Sequence, residues 1–259
     1  MAQLSLGAQV GQLARRSVLR TARQPAQIVP PVIFPLFLLA INASGLDAAT
    51  KLRGFPGDSY VDFAMAFAFM QGALFSMVNA GTDLARDVES GFLTRLTLTP
   101  MHRSALLIGQ LAGVMAVSFL SGVIYLLVGL IAGVTVAAGV GGVAVLFLLA
   151  GVIGLAFASL GAFVGLHFGS AEAVQGFFPL FFVSLFLSSA SLPRDLIEQD
   201  WFRTVATWNP VSYLVEGIRS LIVLGWDGQA LGLGFGIAAV IAVIGITGAS
   251  NALRSRVVR

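Results

Sequence analysis

Side chains that could perform covalent or metal chemistry are scarce in this chain of 259 residues. Cysteine is absent, which excludes disulfides and thiolate metal sites. The two histidines, His102 and His167, are far apart in the sequence and give little support to a metal site. The chain also lacks the H-E-x-x-H and G-x-S-x-G motifs of zinc and serine hydrolases. A membrane-embedded enzyme is therefore the weaker hypothesis, and we expect no metal site.

Nucleotide hydrolysis by a P-loop would require G-x-x-x-x-G-K-[ST], because the lysine of that motif contacts the β- and γ-phosphates. The single lysine of this chain, Lys51, is followed by Leu52. No Walker site can be built from these residues. We therefore expect no cofactor in this chain, and any ATP that drives the protein must be hydrolysed by another polypeptide.

The segment 81–104 is dense in charge for this chain, with an acidic first half and a basic second half. Its first part has a helical pattern, and a glycine then permits a turn. Two interpretations are open: a solvated connection, or an ordered surface that docks on a partner.

The overall composition indicates a bilayer protein. Hydrophobic residues make up 57% of the chain, charged residues only 10%, and the mean hydropathy is +0.92. A soluble domain carries about 25% charged residues, so this chain has too few to cover a water-facing surface. A transmembrane helix needs about 20 mostly apolar residues. Six stretches qualify: 27–44, 61–80, 105–134, 140–168, 173–192 and 230–249. The expected fold class is an all-α integral membrane protein with six transmembrane helices.

Basic residues are unequally shared between the two sides of these spans. One side holds both chain termini, the 81–104 loop and the 169–172 turn. It carries 10 of the 15 Lys and Arg residues but only 4 of the 12 Asp and Glu residues. The positive-inside rule then predicts that both termini are cytoplasmic. The basic balance reflects this topology, so nucleic acid is not an expected partner.

The segment 4–24 is predicted to be an amphipathic helix at the membrane surface. At helical spacing one face is apolar, with Leu6, Val10, Leu13, Ala14 and Val18. The opposite face carries arginines, among them Arg15, Arg16 and Arg20. The helix is either a simple membrane anchor or a connector that also contacts a cytoplasmic partner.

The segment 193–228, between the fifth and sixth spans, is too long for an ordinary connection and too apolar for a free loop. Its apolar run 211–224 is too short and too charged to cross a bilayer. A re-entrant helix pair fits better, with its three tryptophans at the membrane interface. Glu216 and Arg219 lie three residues apart and could pair, which would stabilise an external gate.

Two membrane helices carry faces that could line a substrate pathway. In the second span, aromatic and polar side chains alternate at every fourth residue along one face, and polar side chains need partners or water in a membrane. In the fifth span phenylalanines repeat at the same spacing, as either a packing surface or the wall of an apolar path. The candidate residues are Phe67, Gln71, Phe75, Asn79, Phe178, Phe182 and Phe186. Glycines spaced by four, such as Gly161 and Gly165, could serve contacts between subunits or within the chain.

These segments together resemble the ABC-2 type transporter permeases. One motif is Glu89-Ser90-Gly91-Phe92-Leu93 followed by Leu98-Thr99-Pro100, which is similar to the family signature between spans two and three. A second motif precedes the last span and comprises Asn209, Pro210, Tyr213, Glu216 and Arg219. The order of the elements, from the amphipathic helix to the re-entrant segment, also matches and covers nearly the whole chain.

The resemblance implies a function as the permease subunit of a bacterial ABC exporter in the inner membrane. The 81–104 loop would be a coupling helix that docks on a cytoplasmic ATPase, present in two copies, which binds ATP and Mg. Its acidic and basic halves suit a charged docking groove. The docking residues that the resemblance implies are Asp83, Asp87, Glu89, Gly91 and Arg95. A second permease copy or a paralogue would complete a dimer. The substrate would be hydrophobic or amphipathic, such as a drug, an antibiotic or a lipid-linked molecule. One alternative is polysaccharide or lipid-linked glycan export. An ion-coupled carrier has less support, because charged residues are absent from the centres of the spans.

Overall fold

The computed structural model describes residues 5–97 and 103–257. Across these residues the protein is all-helical, without a β-strand, which confirms the all-α part of the predicted fold class. The first residue of the predicted 4–24 segment, the Leu98-Thr99-Pro100 part of the loop motif and His102 lie outside the described residues. The helices are α1 Leu6–Ala22, α2 Pro25–Leu46, α3 Tyr60–Glu89, α4 Phe92–Thr97, α5 Arg103–Ile131, α6 Gly139–Phe168, α7 Ala171–Phe186, α8 Asp200–Trp208, α9 Pro210–Arg219 and α10 Gly228–Val257.

Five of these helices, among those described, are long and apolar enough to cross a membrane: α2, α3, α5, α6 and α10. They correspond to five of the six predicted spans. The predicted span 173–192 is represented by α7, an apolar helix of 16 residues that ends at Phe186. At 1.5 Å per residue this helix is about 24 Å long, somewhat less than the hydrocarbon thickness of a bilayer.

Helix α3 is the centre of the bundle and packs against α2, α5, α6, α7 and α9. Its closest neighbour is α6, where two glycines face the α3 backbone. A Cβ atom added at Gly161 would collide with the carbonyl oxygen of Met77, and one at Gly165 would collide with that of Gly81. These two glycines therefore serve contacts within the chain, because only a hydrogen at Cα permits the two backbones to approach so closely.

The helices divide the loops between two ends of the bundle. At the end we call the basic end, the α3–α4 turn lies beside the start of α7, since Glu89 accepts a hydrogen bond from Ala171 N. The Arg256 side chain near the end of α10 donates to the carbonyl of His167 at the same end. At the opposite end, Tyr60 donates to Ser191 O, and Ala137 N donates to Ile222 O. The loops thus alternate between the two ends as the sequence predicts.

Helix α1 packs against α5 with a face that the amphipathic pattern did not indicate. The buried residues of α1 are Gln9, Leu13, Ser17 and Thr21. Two α5 glycines, Gly109 and Gly113, lie against Leu13 and Ser17 without room for a side chain. Ser17 Oγ also donates to Gln110 O at 2.8 Å. Close packing of small residues has therefore buried a face of α1 that contains both polar and apolar side chains. Val18, on the predicted apolar face, is 37% exposed.

Candidate functional site

Two buried carboxylates lie on the last turns of α3, at the basic end. Asp83 and Asp87 are only 6% and 3% exposed. Arg20 of α1 binds both of them, with 3.0 Å from Nη1 to Asp87 Oδ1 and 3.5 Å from Nη2 to Asp83 Oδ1. Arg16 lies 3.8 Å from the same Asp87 oxygen. Charge attraction thus holds α1 on α3, and the low dielectric around the two buried carboxylates strengthens that attraction.

Two glutamines complete the coordination of these carboxylates. Gln27 at the start of α2 donates to Asp83 Oδ1 at 2.8 Å, and Gln110 of α5 donates to Asp87 Oδ2. A buried carboxylate is costly unless its oxygens accept hydrogen bonds, and these amides supply them. We call this group the α1–α3 junction: Arg16, Arg20, Gln27, Asp83, Asp87 and Gln110. It joins four helices, namely α1, α2, α3 and α5.

The turn from α3 to α4 presents the other residues predicted for docking. Gly91 has a φ of 65°, so the turn it was predicted to permit is present, in the left-handed region that glycine tolerates. Glu89 is exposed and yet reaches the first residues of α7, where its Oε1 accepts from Ala171 N at 3.2 Å. Arg95 is exposed and donates to Ser90 O at 3.2 Å.

The three arginines predicted on α1 differ in their surroundings. Arg16 and Arg20 belong to the α1–α3 junction, and the Arg16 guanidinium also lies 4.0 Å from the ring centre of Phe92 on α4. Arg15 is exposed. Two of the three therefore face inwards and hold helices together, while the third faces outwards.

The two faces predicted to line a pathway contact each other directly. Phe75 of α3 lies 5.8 Å from Phe178 of α7, and Phe67 lies 5.5 Å from Phe186, measured between ring centres. Phe178, Phe182 and Phe186 form a continuous row along α7. The two candidate faces are thus one aromatic surface, and Phe186 keeps 44% of its area exposed.

Helix α2 adds a side chain to this surface that the sequence analysis did not select. The ring of Phe34 is 6.0 Å from Phe75 and 6.1 Å from Phe182. We call the group the aromatic surface: Phe34, Phe67, Phe75, Phe178, Phe182 and Phe186. Helix α2 carries only two phenylalanines, Phe34 and Phe37, so it shows no row of rings at a spacing of four that could have indicated Phe34.

The polar members of the α3 face have different environments. Gln71 is buried, and neither atom of its amide has a hydrogen-bond partner among the described residues. Asn79 is half-buried and donates to Gln27 O at 3.0 Å. The face therefore becomes more polar and more open towards the basic end.

At the opposite end, Asn209, Pro210 and Tyr213 build the start of α9. Asn209 Oδ1 accepts from Val211 N at 2.9 Å as the N-cap, and Pro210 occupies the first helical position, where no N–H is needed. Asn209 Nδ2 donates to Ser184 O at the end of α7. Tyr213 donates to Thr207 O of α8 at 2.9 Å. These residues fix α8 and α9 to the end of α7.

Glu216 and Arg219 do not take each other as partners. Glu216 Oε2 pairs with Arg194 at 2.5 Å, and its Oε1 accepts from Ser189 Oγ at 2.8 Å. Arg219 donates instead to the carbonyl oxygens of Ser189 and Ala190, both at 2.9 Å. The two residues share a helix, but their side chains reach different atoms of the segment after α7.

Arg219 is a buried cation that holds backbone. It is 4% exposed, and its guanidinium carbon lies 3.5 Å from the ring centre of Phe63 on α3. Burial disfavours a charged group, so the two carbonyl oxygens and the aromatic ring supply part of the stabilisation that water would otherwise give.

Comparison with known proteins agrees with this architecture. The family model described as ABC-2 type transporter matches residues 8–223, which includes the α1–α3 junction, the α3–α4 turn and α9. The chain belongs to the ABC-2 type transporter family. It is therefore a component of a membrane transporter, and a permease of this family normally works with an ATPase subunit.

Similar proteins in this family come from algae. A protein of Porphyra purpurea named "Putative transport permease ycf38" is 25% identical over 96% of this chain and 89% of its own length. The protein of the same name from Pyropia yezoensis is 27% identical over 84% of this chain and 75% of its own length. The one from Cyanophora paradoxa is 25% identical over 81% and 72%. The likeness thus extends over most of each chain.

Several residues that complete the ABC-2 architecture were missed by sequence reasoning. They are Gln27, Gln110, Ser189 and Arg194, which bind the candidate side chains from other helices. Gln27 and Gln110 lie at ends of predicted spans, and polar residues there carry no specific pattern. The only available signal was chemical: a buried carboxylate on α3 needs donors from its neighbours.

Proposed function

We propose that this chain is the membrane-spanning permease subunit of an ATP-driven exporter, powered by a separate cytoplasmic ATPase that binds ATP and Mg. One observation carries the proposal: α3 is a single helix of 30 residues that holds both the aromatic surface and the loop residues. Phe67 and Phe75 lie on its membrane part, and Asp83 and Asp87 lie near its end. A rigid helix transmits a displacement along its axis, so movement at the loop reaches the candidate pathway.

The contacts of the α3–α4 turn support this coupling. Glu89 bonds to the start of α7, and α7 carries the other half of the aromatic surface. A partner that moved the turn would therefore act on α3 and α7 together. We propose that α3 and α7 move together between two states, so that a distant binding event opens or closes the pathway.

We propose that docking on the ATPase uses the exposed members of the loop directly, and the buried members indirectly. Glu89 and Arg95 offer charges of both signs at the surface beside Gly91. Asp83 and Asp87 are buried in the α1–α3 junction, so their role is to hold α1 against the docking turn. In this arrangement Arg15 is the connector-helix arginine available to a partner or to lipid headgroups.

The proposed topology has six spans, with α7 as the fifth. The turn after Phe186 extends this short helix towards the membrane surface. Helices α8 and α9 form the re-entrant pair: α9 is buried against α3, α6 and α10, while Trp201, Trp208 and Trp226 are all more than half exposed. Exposed indole rings suit the membrane interface. The basic end would then face the cytoplasm of a bacterium, with Asn209, Tyr213, Glu216 and Arg219 bracing the external gate.

The aromatic surface supports a hydrophobic or amphipathic substrate, such as a drug, an antibiotic or a lipid-linked molecule, because phenylalanine rings offer no hydrogen bonds to a glycan. Six helices rarely enclose a path alone, so we propose that two permease chains and two ATPase subunits form the transporter. Export is the direction that the family resemblance favours.

The test is purification of the protein from its native membranes in mild detergent, with identification of what copurifies. We expect a stoichiometric soluble ATPase with the wild-type chain and its loss with Arg95→Glu. A charge reversal at an exposed arginine of the opposite end, Arg53→Glu, is the matched control and should retain the ATPase. An intact chain that brings down no ATPase in several detergents would sink the proposal, as would equal loss from both variants.

A further inference from the structure

A polar cavity of about 520 Å³ lies at the basic end. It is lined by the residues that link α1 to α2 and by residues of α3 and α7. It is distinct from the α3–α4 turn, which lies further along α3. Its lining includes Arg23, Gln27, Asn79, Thr82, Arg86 and Gln175. No carboxylate is among the described residues that line it. A cavity with two arginines and no acid favours a negatively charged occupant.

The two arginines have no close carboxylate partner. Arg23 and Arg86 are exposed, and neither forms an ion pair with any residue that the structure describes. The nearby arginine of α1, Arg20, is by contrast already bound to Asp83 and Asp87. Guanidinium groups bind carboxylate and phosphate oxygens through paired N–H donors, so Arg23 and Arg86 suit either anion.

Two residues of the lining also carry buried polar atoms that lack partners. Thr82 is 7% exposed and Gln27 is 6% exposed. Within the described part of the chain, neither Thr82 Oγ1 nor Gln27 Oε1 has a hydrogen-bond partner. An unsatisfied buried polar atom is costly, and a ligand would relieve that cost. The hydroxyl can donate to an anionic oxygen, and the amide oxygen can accept from a hydroxyl or N–H of the same headgroup.

On all three membrane helices that line the cavity, a residue of the aromatic surface follows one or two helical turns deeper in the bundle. On α2, Phe34 lies seven residues beyond Gln27. On α3, Phe75 lies four residues before Asn79, and on α7, Phe178 lies three residues beyond Gln175. Given the direction of each helix, every aromatic residue is one or two turns deeper in the bundle than its polar neighbour. A molecule with a charged head and an apolar chain matches this sequence of surfaces.

We propose that this cavity binds the anionic headgroup of an amphipath whose apolar chain lies along the aromatic surface. The proposal deepens the proposed function, on which it rests, by naming the substrate class as anionic amphipaths that are taken up from the basic end. A fatty-acid-like carboxylate and an anionic phospholipid share this chemistry. Each presents a charged oxygen group on an apolar chain.

The test measures binding of dansyl-labelled undecanoic acid to the full chain, purified in a non-ionic detergent, by the rise in probe fluorescence. We expect Arg23→Gln/Arg86→Gln to weaken binding of the acid by roughly tenfold and Thr82→Val by roughly fivefold, in line with hydrogen bonds to charged groups. Arg254→Gln removes an exposed arginine of α10 that does not line the cavity, and should leave binding unchanged.

Two further probes separate the charged and apolar parts of the site. The matching dansyl-labelled undecylamine carries the opposite charge, and the double arginine variant should not weaken its binding. Phe178→Ala should weaken both probes to a similar degree, since both have the same chain. Displacement of the acid by phosphatidylglycerol, but not by phosphatidylcholine, would identify a membrane lipid as the amphipath. A lack of displacement by either lipid would assign the site to single-chain amphipaths.

Three results would overturn the proposal. The first is an equal loss of binding in Arg254→Gln and in the double arginine variant, which would indicate general surface charge. The second is an equal loss for the acid and the amine in the double variant. The third is full displacement of the acid by inorganic phosphate alone, which would remove the role of the apolar chain. The measurement needs no ATPase, so failure of an ATPase to copurify leaves its result intact.

Discussion

The two ends of α3 are both held by arginines, but in different ways. At the basic end, Arg16 and Arg20 bind carboxylate side chains, and those carboxylates also accept from amides of α2 and α5. At the opposite end, Arg219 of α9 lies on Phe63 of α3 and binds two backbone carbonyls. One end is a network of side chains, whereas the other is a single cation in a backbone cradle.

The difference concerns what each end can do when the protein changes state. In the α1–α3 junction two carboxylates share Arg20, so the loss of one contact leaves another available. Side chains can also exchange partners by rotation about their own bonds. Backbone carbonyls cannot move without moving their segment, so Arg219 has one arrangement only. The basic end is therefore suited to movement, and the opposite end to a fixed frame for α9.

Removal of the Arg219 side chain should have the largest effect. Arg219→Ala leaves the carbonyls of Ser189 and Ala190 unpaired in a buried site and creates a cavity beside Phe63. We expect it to destabilise the chain by about 3–5 kcal/mol. Thermal unfolding of the purified protein in detergent measures this. Arg53→Ala, at an exposed arginine between α2 and α3, is the control and should change stability by less than about 0.5 kcal/mol. Equal stability of the two variants would remove the contrast between the ends.

An intermediate effect is expected in the α1–α3 junction, where partners compensate one another. Asp87→Ala should cost about 2–3 kcal/mol, because the variant leaves Arg16, Arg20 and Gln110 without their shared acceptor. In a double-mutant cycle with Arg20→Ala, the combined loss should be smaller than the sum by about 1–2 kcal/mol. Asp200→Ala, whose side chain is 95% exposed, serves as the control. Strict additivity would show that the junction is not a network.

The pair between Glu216 and Arg194 should have the smallest effect. Both side chains are about a quarter exposed, at 24% and 25%, so water screens their attraction. Glu216→Gln should lower stability by about 1 kcal/mol or less, since an amide oxygen can still accept from Ser189 Oγ. The same thermal measurement, repeated in high salt, checks the cause: salt should reduce the difference between this variant and the wild type. A loss comparable with that of Arg219→Ala would place the bracing role on Glu216 instead.

Local signals in the sequence predicted the elements of this protein better than its contacts. The apolar stretches predicted six spans, and five of them are helices long enough to cross a membrane. Gly91 predicted the turn after α3. Both signals are local, because hydropathy and a positive φ are properties of short windows or single residues. The predicted span ended at residue 80, whereas α3 continues as one helix to Glu89. The hydropathy of the sequence falls where charged residues begin, but the helix itself ends only at the turn formed by Gly91.

Pairing across helices could not be predicted. Glu216 and Arg219 have the spacing of a helix pair, and yet each finds a better partner in the segment after α7. The docking and pathway roles of the candidate residues stay predictions. For Asp83 and Asp87 the structure adds that they are buried, which their charge alone would not suggest.

The sequence by itself determined that this is a helical membrane protein of the ABC-2 type, where its helices begin and which end is basic, because composition and short motifs carry that information. The tertiary structure decided which face of α1 is buried, which arginines are bound and which remain open to a ligand. It also joined Phe34, Phe75 and Phe178 into one surface beside the polar cavity. Those outcomes depend on how closely helices approach, and glycines such as Gly109 and Gly161 control that distance only when their partners are in place.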